Sequence, residues 1–256
     1  MLKGWLRSKV INRVYTLDPA GLPEDFQEYS PNPIQHFTDS KKLIDEKPEI
    51  DVLVMAVKPQ IFESACEAIK PLLSESTLIV SIAAGKTIQE FQSFFSERQP
   101  TIRAMPNTPA SIGKGITVLC SNSSVNETHK QTANLLLNSI GEAEWIDNED
   151  LMDAVTAVSG SGPAYLFYFI EALTESATKA GLDKELAYKL AHKTITGAAA
   201  LAEAQDYYSA SDLREQVTSP AGTTEAALNI LMNDELQTIL DQAVDAALKR
   251  SKELSG

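Results

Sequence analysis

The stretch DVLVMAVKPQ, residues 51–60, decides the fold. From Val52 to Val57 it is apolar without a break, whereas a strand with one wet face alternates apolar and polar side chains. It therefore reads as a strand covered on both faces, as in a parallel sheet. Lys58, Pro59 and Gln60 follow directly. Pro59 suits the first turn of a helix, where its missing N–H costs nothing, and a helix is predicted over residues 60–73. The unit then recurs. TLIVSIA, residues 77–83, reads as a second buried strand, Gly85 turns the chain, and Thr87 caps a helix over 88–96. Further strands are predicted over 101–105, 116–120 and 143–146, with a helix over 127–140.

Upstream, residues 1–8 have helical spacing at Leu2, Trp5 and Leu6, with no cap before Leu2. NRVYTLD, residues 12–18, reads as a strand ending in an acid. Residues 19–38 read as loop, and 41–44 as a short helix. Strands that alternate with helices give a parallel, doubly wound sheet, and such sheets bind ligands at the C-terminal strand ends. That edge collects Asp18, the run from Ala56 to Pro59, Ala84-Gly85, and Met105 to Pro109.

From residue 148 onward no strand is read. Helices are predicted over 150–159, 164–180, 184–203, 211–216, 225–232 and 235–254. Gly160-Ser161-Gly162-Pro163 breaks the first from the second, and the second is apolar enough to be buried. The fold class is thus a Rossmann-like α/β doubly wound domain, residues 1–147, followed by an all-α domain, residues 148–256.

A doubly wound nucleotide-binding domain ordinarily opens with a strand, G-x-G-x-x-G and a helix. That fingerprint is absent, and the strand at 12–18 stands where a second strand would. The sheet is expected to lack its first strand, which leaves a gap in its middle. On this reading the sequence begins late, by roughly 12–18 residues.

Composition narrows the partners. The net charge of −13 over 256 residues argues against nucleic acid. No apolar run approaches membrane-span length, and no secretory signal is read. Cys66 and Cys120 give neither a disulfide framework nor metal spacing, and the three histidines are isolated. No metal is expected, and the expected location is the cytoplasm. Lys58, Asp153 and Glu171 read as solvated positions. Tyr165, Phe167, Tyr168 and Phe169 read as core or subunit contact.

VTSPAGTTEAAL, residues 217–228, is the densest cluster of turn and hydroxyl residues. Pro220 stops one helix, and Thr223 or Thr224 can cap the next, from Glu225. Free N–H groups at a helix N-terminus beside hydroxyls suit a carboxylate.

This motif, preceded by Leu213, resembles the C-terminal signature of pyrroline-5-carboxylate reductases. MAVKPQ at 55–60, SIAAG at 81–85, RAMPNTPA at 103–110 and VSGSGPAYLFYFIEAL at 158–173 also resemble that family, in its order and at its spacing. MLKGWL resembles the helix that follows the family's glycine loop. The resemblance implies reduction of L-1-pyrroline-5-carboxylate to L-proline with NADPH or NADH, the last step of proline biosynthesis. It implies a homodimer or higher homo-oligomer formed through the helical domain. Ser219, Gly222, Thr223 and Thr224 would bind the substrate, the N–H groups holding its carboxylate. Thr224 would be catalytic, its hydroxyl orienting the ring nitrogen or relaying a proton. Asp18, Ala56, Val57, Lys58, Pro59, Ala84, Met105, Asn107 and Gln216 would line the cofactor. An acid at Asp18 favours a free ribose hydroxyl over a 2′-phosphate, so NADH is expected to serve at least as well as NADPH. Ala221 stands where the family more often has glycine.

Two other readings stand beside this one. A 3-hydroxyacid dehydrogenase-like enzyme would use a lysine of the helical domain, but Lys179 and Lys193 have no motif around them. A truncated, non-catalytic paralogue would keep the oligomer-forming helical half.

Overall fold

The computed structural model describes residues 1–24, 26 and 34–255. The chain forms two compact units: Met1–Ser161 with Ala247–Gly256, and Gly162–Ala246.

The first unit is the doubly wound domain. Its elements are α1 (Leu2–Ser8), β1 (Val14–Leu17), β2 (Ile34–Phe37), α2 (Ser40–Asp45), β3 (Val52–Met55), α3 (Phe62–Ile69), β4 (Leu78–Ser81), α4 (Ile88–Phe94), β5 (Thr101–Met105), β6 (Gly115–Ser121), α5 (Glu127–Asn138), β7 (Gly141–Trp145) and α6 (Met152–Val155). Pro59 opens a single 3-10 turn before α3. Thr87 and Glu90 form a capping box at α4.

The strands make two sheets, β1-β2 and β3-β4-β5-β6-β7. No ladder joins β1 to β3 among the described residues, so the break falls where the sequence lacks a strand. Side-chain alternation places helices on both faces. Leu78 and Val80 of β4 and Ile102 and Ala104 of β5 pack with Trp5 of α1 and Leu136 and Leu137 of α5. The intervening Ile79 packs with Phe62 and Cys66 of α3 and Phe91 of α4. The Trp5 indole N–H donates to the Leu136 carbonyl at 2.8 Å, which fixes α1 against α5.

Two expectations about this unit are corrected. The sheet is not wholly parallel, because β6 runs antiparallel to β5. Only residues 106–114 separate the two strands, fewer than the dozen or more that a crossover to a parallel neighbour needs. The segment 19–38 is not all loop, since β2 pairs with β1 in parallel. Its apolar ends, Ile34 and Phe37, flank Gln35 and His36 and dilute the strand signal. The part of that loop reading at residue 25 and over residues 27–33 lies outside the described residues.

The change from strands to helices and the division into compact units do not coincide. Strands end at Trp145, yet residues up to Ser161 pack with the sheet unit. Met152 of α6 lies against Ile88, Val118 and Cys120. Asp153, expected to be solvated, instead accepts a 2.6 Å hydrogen bond from the Ser251 hydroxyl near the C-terminus.

The second unit holds α7 (Gly162–Lys179), α8 (Lys184–Ala204), α9 (Ala210–Gln216), α10 (Thr223–Leu231) and the start of α11 (Glu235–Ser255). Asp183 caps α8 and Ser209 caps α9. The expectation that the apolar α7 is buried fails: Phe167 is 59% and Tyr168 70% exposed, and Ile170 is its one buried residue.

Candidate active site

In the sheet unit, three strand ends lie in register. Met55 sits opposite Ser81, and Ser81 opposite Arg103. The residues beyond them therefore leave the sheet on one edge, which brings Ala56, Val57, Lys58 and Pro59 together with Ala84 and with Met105 and Asn107. Ala56, Lys58 and Ala84 are exposed, while Val57, Pro59, Met105 and Asn107 are half-buried. Gly85, at φ +73°, turns the chain away after Ala84. Asp18 follows Leu17, which packs on the cluster containing Met55. One Asp18 carboxylate oxygen accepts from the Ala20 N–H at 2.8 Å, and the other has no partner among the described residues.

Asn107 is held on both sides of its amide. Its oxygen accepts from the Ile116 N–H at 3.1 Å, and its nitrogen donates to the Ser159 hydroxyl at 3.3 Å. Ser159 belongs to a π-helical turn, Thr156–Gly160, closed by the Ser161 N–H on the Thr156 carbonyl at 2.9 Å. Such turns are rare and favour functional sites. The next residue, Gly160, sits so close that a side chain there would meet the Met105 methyl at 2.5 Å. The sequence reading took Gly160-Ser161-Gly162-Pro163 as a helix break within a family-like stretch and missed this support for Asn107. Two glycines flanking a serine ahead of a helical proline were the available signal.

Sequence reasoning also missed Arg103. It is buried within β5, and its guanidinium donates to Glu149 at 2.9 Å. The same carboxylate oxygen accepts from the Ile88 N–H at the start of α4, also at 2.9 Å. One acid thus ties a strand, a helix N-terminus and the segment before α6. Burial raises both thiols of this unit. The Cys66 thiol is pushed up to about 12, and at Cys120 the Glu149 carboxylate adds to the effect. Neither is a thiolate at neutral pH, so neither acts as a nucleophile.

In the helical unit, residues 219–222 form a tight turn. The Gly222 N–H donates to the Ser219 carbonyl at 3.0 Å. Pro220 and a positive φ of 58° at Ala221 give the type II form, whose third position favours glycine. For a residue with a Cβ that backbone costs roughly 1 kcal/mol or more. The Ala221 N–H donates to the Glu225 carboxylate at 2.7 Å. Gly222 has to lack a side chain, since a Cβ there would crowd both the Ser219 hydroxyl and the Ser219 carbonyl oxygen, the latter at 2.9 Å.

The capping expectation is corrected here. Helix α10 begins at Thr223, not Glu225; Gly222 is its N-cap, and no side chain caps it. The Thr223 and Thr224 hydroxyls are therefore not consumed by capping, and their N–H groups have no acceptor among the described residues. The Gly222 N–H, expected to face a carboxylate, is committed to the turn. Thr224 is half-buried and Thr223 exposed. Gln216 is the exposed last residue of α9. Lys179, the alternative catalytic lysine, pairs on the helix surface with Glu175 at 2.6 Å.

Comparison with known proteins points to one family. The domain described as "Pyrroline-5-carboxylate reductase dimerisation" matches residues 149–254. A pyrroline-5-carboxylate reductase of Pseudomonas aeruginosa is 42% identical over 207 residues, 81% of this chain and 76% of the relative. One from Glycine max is 40% identical over 81% of this chain and 74% of its own. Among solved structures, a pyrroline-5-carboxylate reductase of Coxiella burnetii superposes with a TM-score of 0.89 at 33% identity, covering 100% of this chain and 93% of its own. A Plasmodium falciparum pyrroline carboxylate reductase with NADP bound gives 0.81 at 31% identity, with the same coverage. Set beside the strand-edge residues and the Ser219–Thr224 turn, this likeness over the whole chain places it in the pyrroline-5-carboxylate reductase family.

Proposed function

We propose that this protein reduces L-1-pyrroline-5-carboxylate to L-proline with NADPH or NADH. The observation that carries the reading is likeness to one enzyme family, at 42% identity over 81% of the chain in sequence and a TM-score of 0.89 over all of it in structure.

A nicotinamide dinucleotide fits the sheet edge at its two ends. Asp18 keeps one carboxylate oxygen without a partner among the described residues, free for a ribose hydroxyl. Ala56 and Ala84 are exposed and too small to obstruct a flat ring, and Asn107 is fixed by two hydrogen bonds beside Met105. Val57, Lys58 and Pro59 complete the candidate contacts on this edge. When bound, the cofactor supplies a hydride for the imine carbon. Asp18 favours a ribose without a 2′-phosphate, so NADH serves at least as well as NADPH.

The residues of the helical unit do the rest. The N–H groups of Thr223 and Thr224 hold the substrate carboxylate at the uncapped start of α10, where the helix dipole favours an anion. The Thr224 hydroxyl orients the ring nitrogen, which accepts a proton as the carbon is reduced. Ser219, whose hydroxyl lies over Gly222, lines the same turn.

The large apolar side chains exposed on α7, including Phe167 and Tyr168, support a homodimer or higher homo-oligomer built on the helical unit. No helix among the described residues is long and apolar enough to cross a membrane. Two buried free thiols support a reducing, cytoplasmic location.

Thr224→Ala tests the site. It removes the hydroxyl and keeps the N–H, so kcat/KM for pyrroline-5-carboxylate falls roughly 10- to 100-fold. An unchanged kcat/KM removes Thr224 from the mechanism.

A further inference from the structure

Ala221 and Glu225 form a pair that the family reading leaves unused. Ala221 holds a left-handed φ of 58° at the third position of the Ser219–Gly222 turn, where glycine is the residue that adopts this backbone without strain. Glu225 lies one helical turn further on, in the first turn of α10. A glutamate at this third helical position ordinarily reaches back to the N-cap N–H. Here the N-cap is Gly222, whose N–H already donates to Ser219. The carboxylate instead reaches one residue further, to the Ala221 N–H at 2.7 Å. It therefore bonds the one strained residue of the turn and leaves the Thr223 and Thr224 N–H groups without an acceptor among the described residues.

We infer that Glu225 is a positioning residue for the substrate carboxylate: it holds the turn that alanine disfavours, so that the Thr223 and Thr224 N–H groups keep their aim. The inference rests on the assignment of this turn to the carboxylate of the imine and of its product, proline. Glu225 is itself an anion near that position, which gives the opposite hypothesis a definite form: if repulsion outweighs positioning, removing the charge tightens binding.

Calorimetric titration of the full chain with L-proline separates these outcomes. Glu225→Ala weakens proline binding about tenfold, the factor that corresponds to roughly 1.4 kcal/mol. Glu225→Gln, whose amide oxygen can still accept from Ala221, recovers most of the affinity. In an Ala221→Gly background, where glycine adopts the turn unaided, Glu225→Ala changes the dissociation constant by less than about twofold. With pyrroline-5-carboxylate as substrate, the effect falls on KM and leaves kcat within about twofold. Binding that is unchanged or tighter in Glu225→Ala overturns the inference, as does a tenfold loss that persists in the Ala221→Gly background. If the unsubstituted protein binds no proline, the underlying site assignment fails and takes this inference with it. If Thr224→Ala lowers turnover while Glu225→Ala alters neither constant, only the role of Glu225 fails.

Discussion

Cys66 shows how burial sets chemistry at a single residue. It is fully buried on α3 where that helix packs on β4, and its thiol is pushed up to about 12. The sign of the consequence follows from linkage. Below the ordinary thiol value of 9.0 the group is protonated whether the chain is folded or not, and it contributes no pH dependence. Between 9 and about 12 the unfolded chain releases the proton and the folded chain keeps it, so stability falls as pH rises. We therefore expect the melting temperature to drop above about pH 9, and the drop to be shallower in Cys66→Ala. Equal slopes for both proteins contradict this. At the other end of the chain, Ala221 and Thr224 differ in how far the sequence revealed them. The hydroxyls of Thr223 and Thr224 were legible as a candidate site from their place in a turn. That they do not cap α10 was not legible, because Gly222 and Thr223 are both acceptable N-caps and only the backbone decides between them. The positive φ at Ala221 was legible solely as a departure from glycine.

Among the elements, the buried strands and their helices were readable because each signal was local. An unbroken apolar run gave β3 and a largely apolar one β4, Pro59 marked the turn that leads into α3, and Thr87 marked α4. The Glu90 carboxyl is held below its ordinary value, the hydrogen bond from Lys86 and those from Thr87 outweighing the opposing effect of burial. What failed depended on partners distant in sequence. The direction of β6 is set by the length of its connection to β5, and β2 exists because β1 offers it an edge. The Arg103–Glu149 pair joins residues 46 apart, and no periodicity announces it. Its removal has a predictable cost. Glu149→Ala leaves a buried guanidinium without its counter-ion and the Ile88 N–H without its acceptor, and should destabilise the protein by about 2–3 kcal/mol. Chemical denaturation measures this directly, and a loss below about 0.5 kcal/mol would mean that water replaces Glu149 at little cost.

For the whole molecule, the helical unit exposes more large apolar side chains than a monomer ordinarily leaves in water. Leu166, Phe167, Tyr168 and Phe169 are consecutive in α7 and each at least 45% exposed. Phe167, Tyr168 and Phe169 were read, with Tyr165, as core or subunit contact, and their exposure excludes the first for these three. Light scattering should therefore find a homo-oligomer, and Phe167→Ser with Tyr168→Ser should shift it toward monomer; a wild-type protein that is monomeric at micromolar concentration contradicts the assembly. The break between β1 and β3 was foreseen from the missing glycine fingerprint. The domain boundary was expected near residue 148, where the strands end, whereas packing carries the sheet unit on to Ser161. The central claim is the reaction itself. Its most direct measurement is proline formation from pyrroline-5-carboxylate by the purified protein with NADH and with NADPH in turn. The account predicts one proline formed per dinucleotide oxidised, with kcat/KM for NADH at least equal to that for NADPH. A strong preference for NADPH would contradict the role given to Asp18, and no proline with either cofactor would contradict the account as a whole.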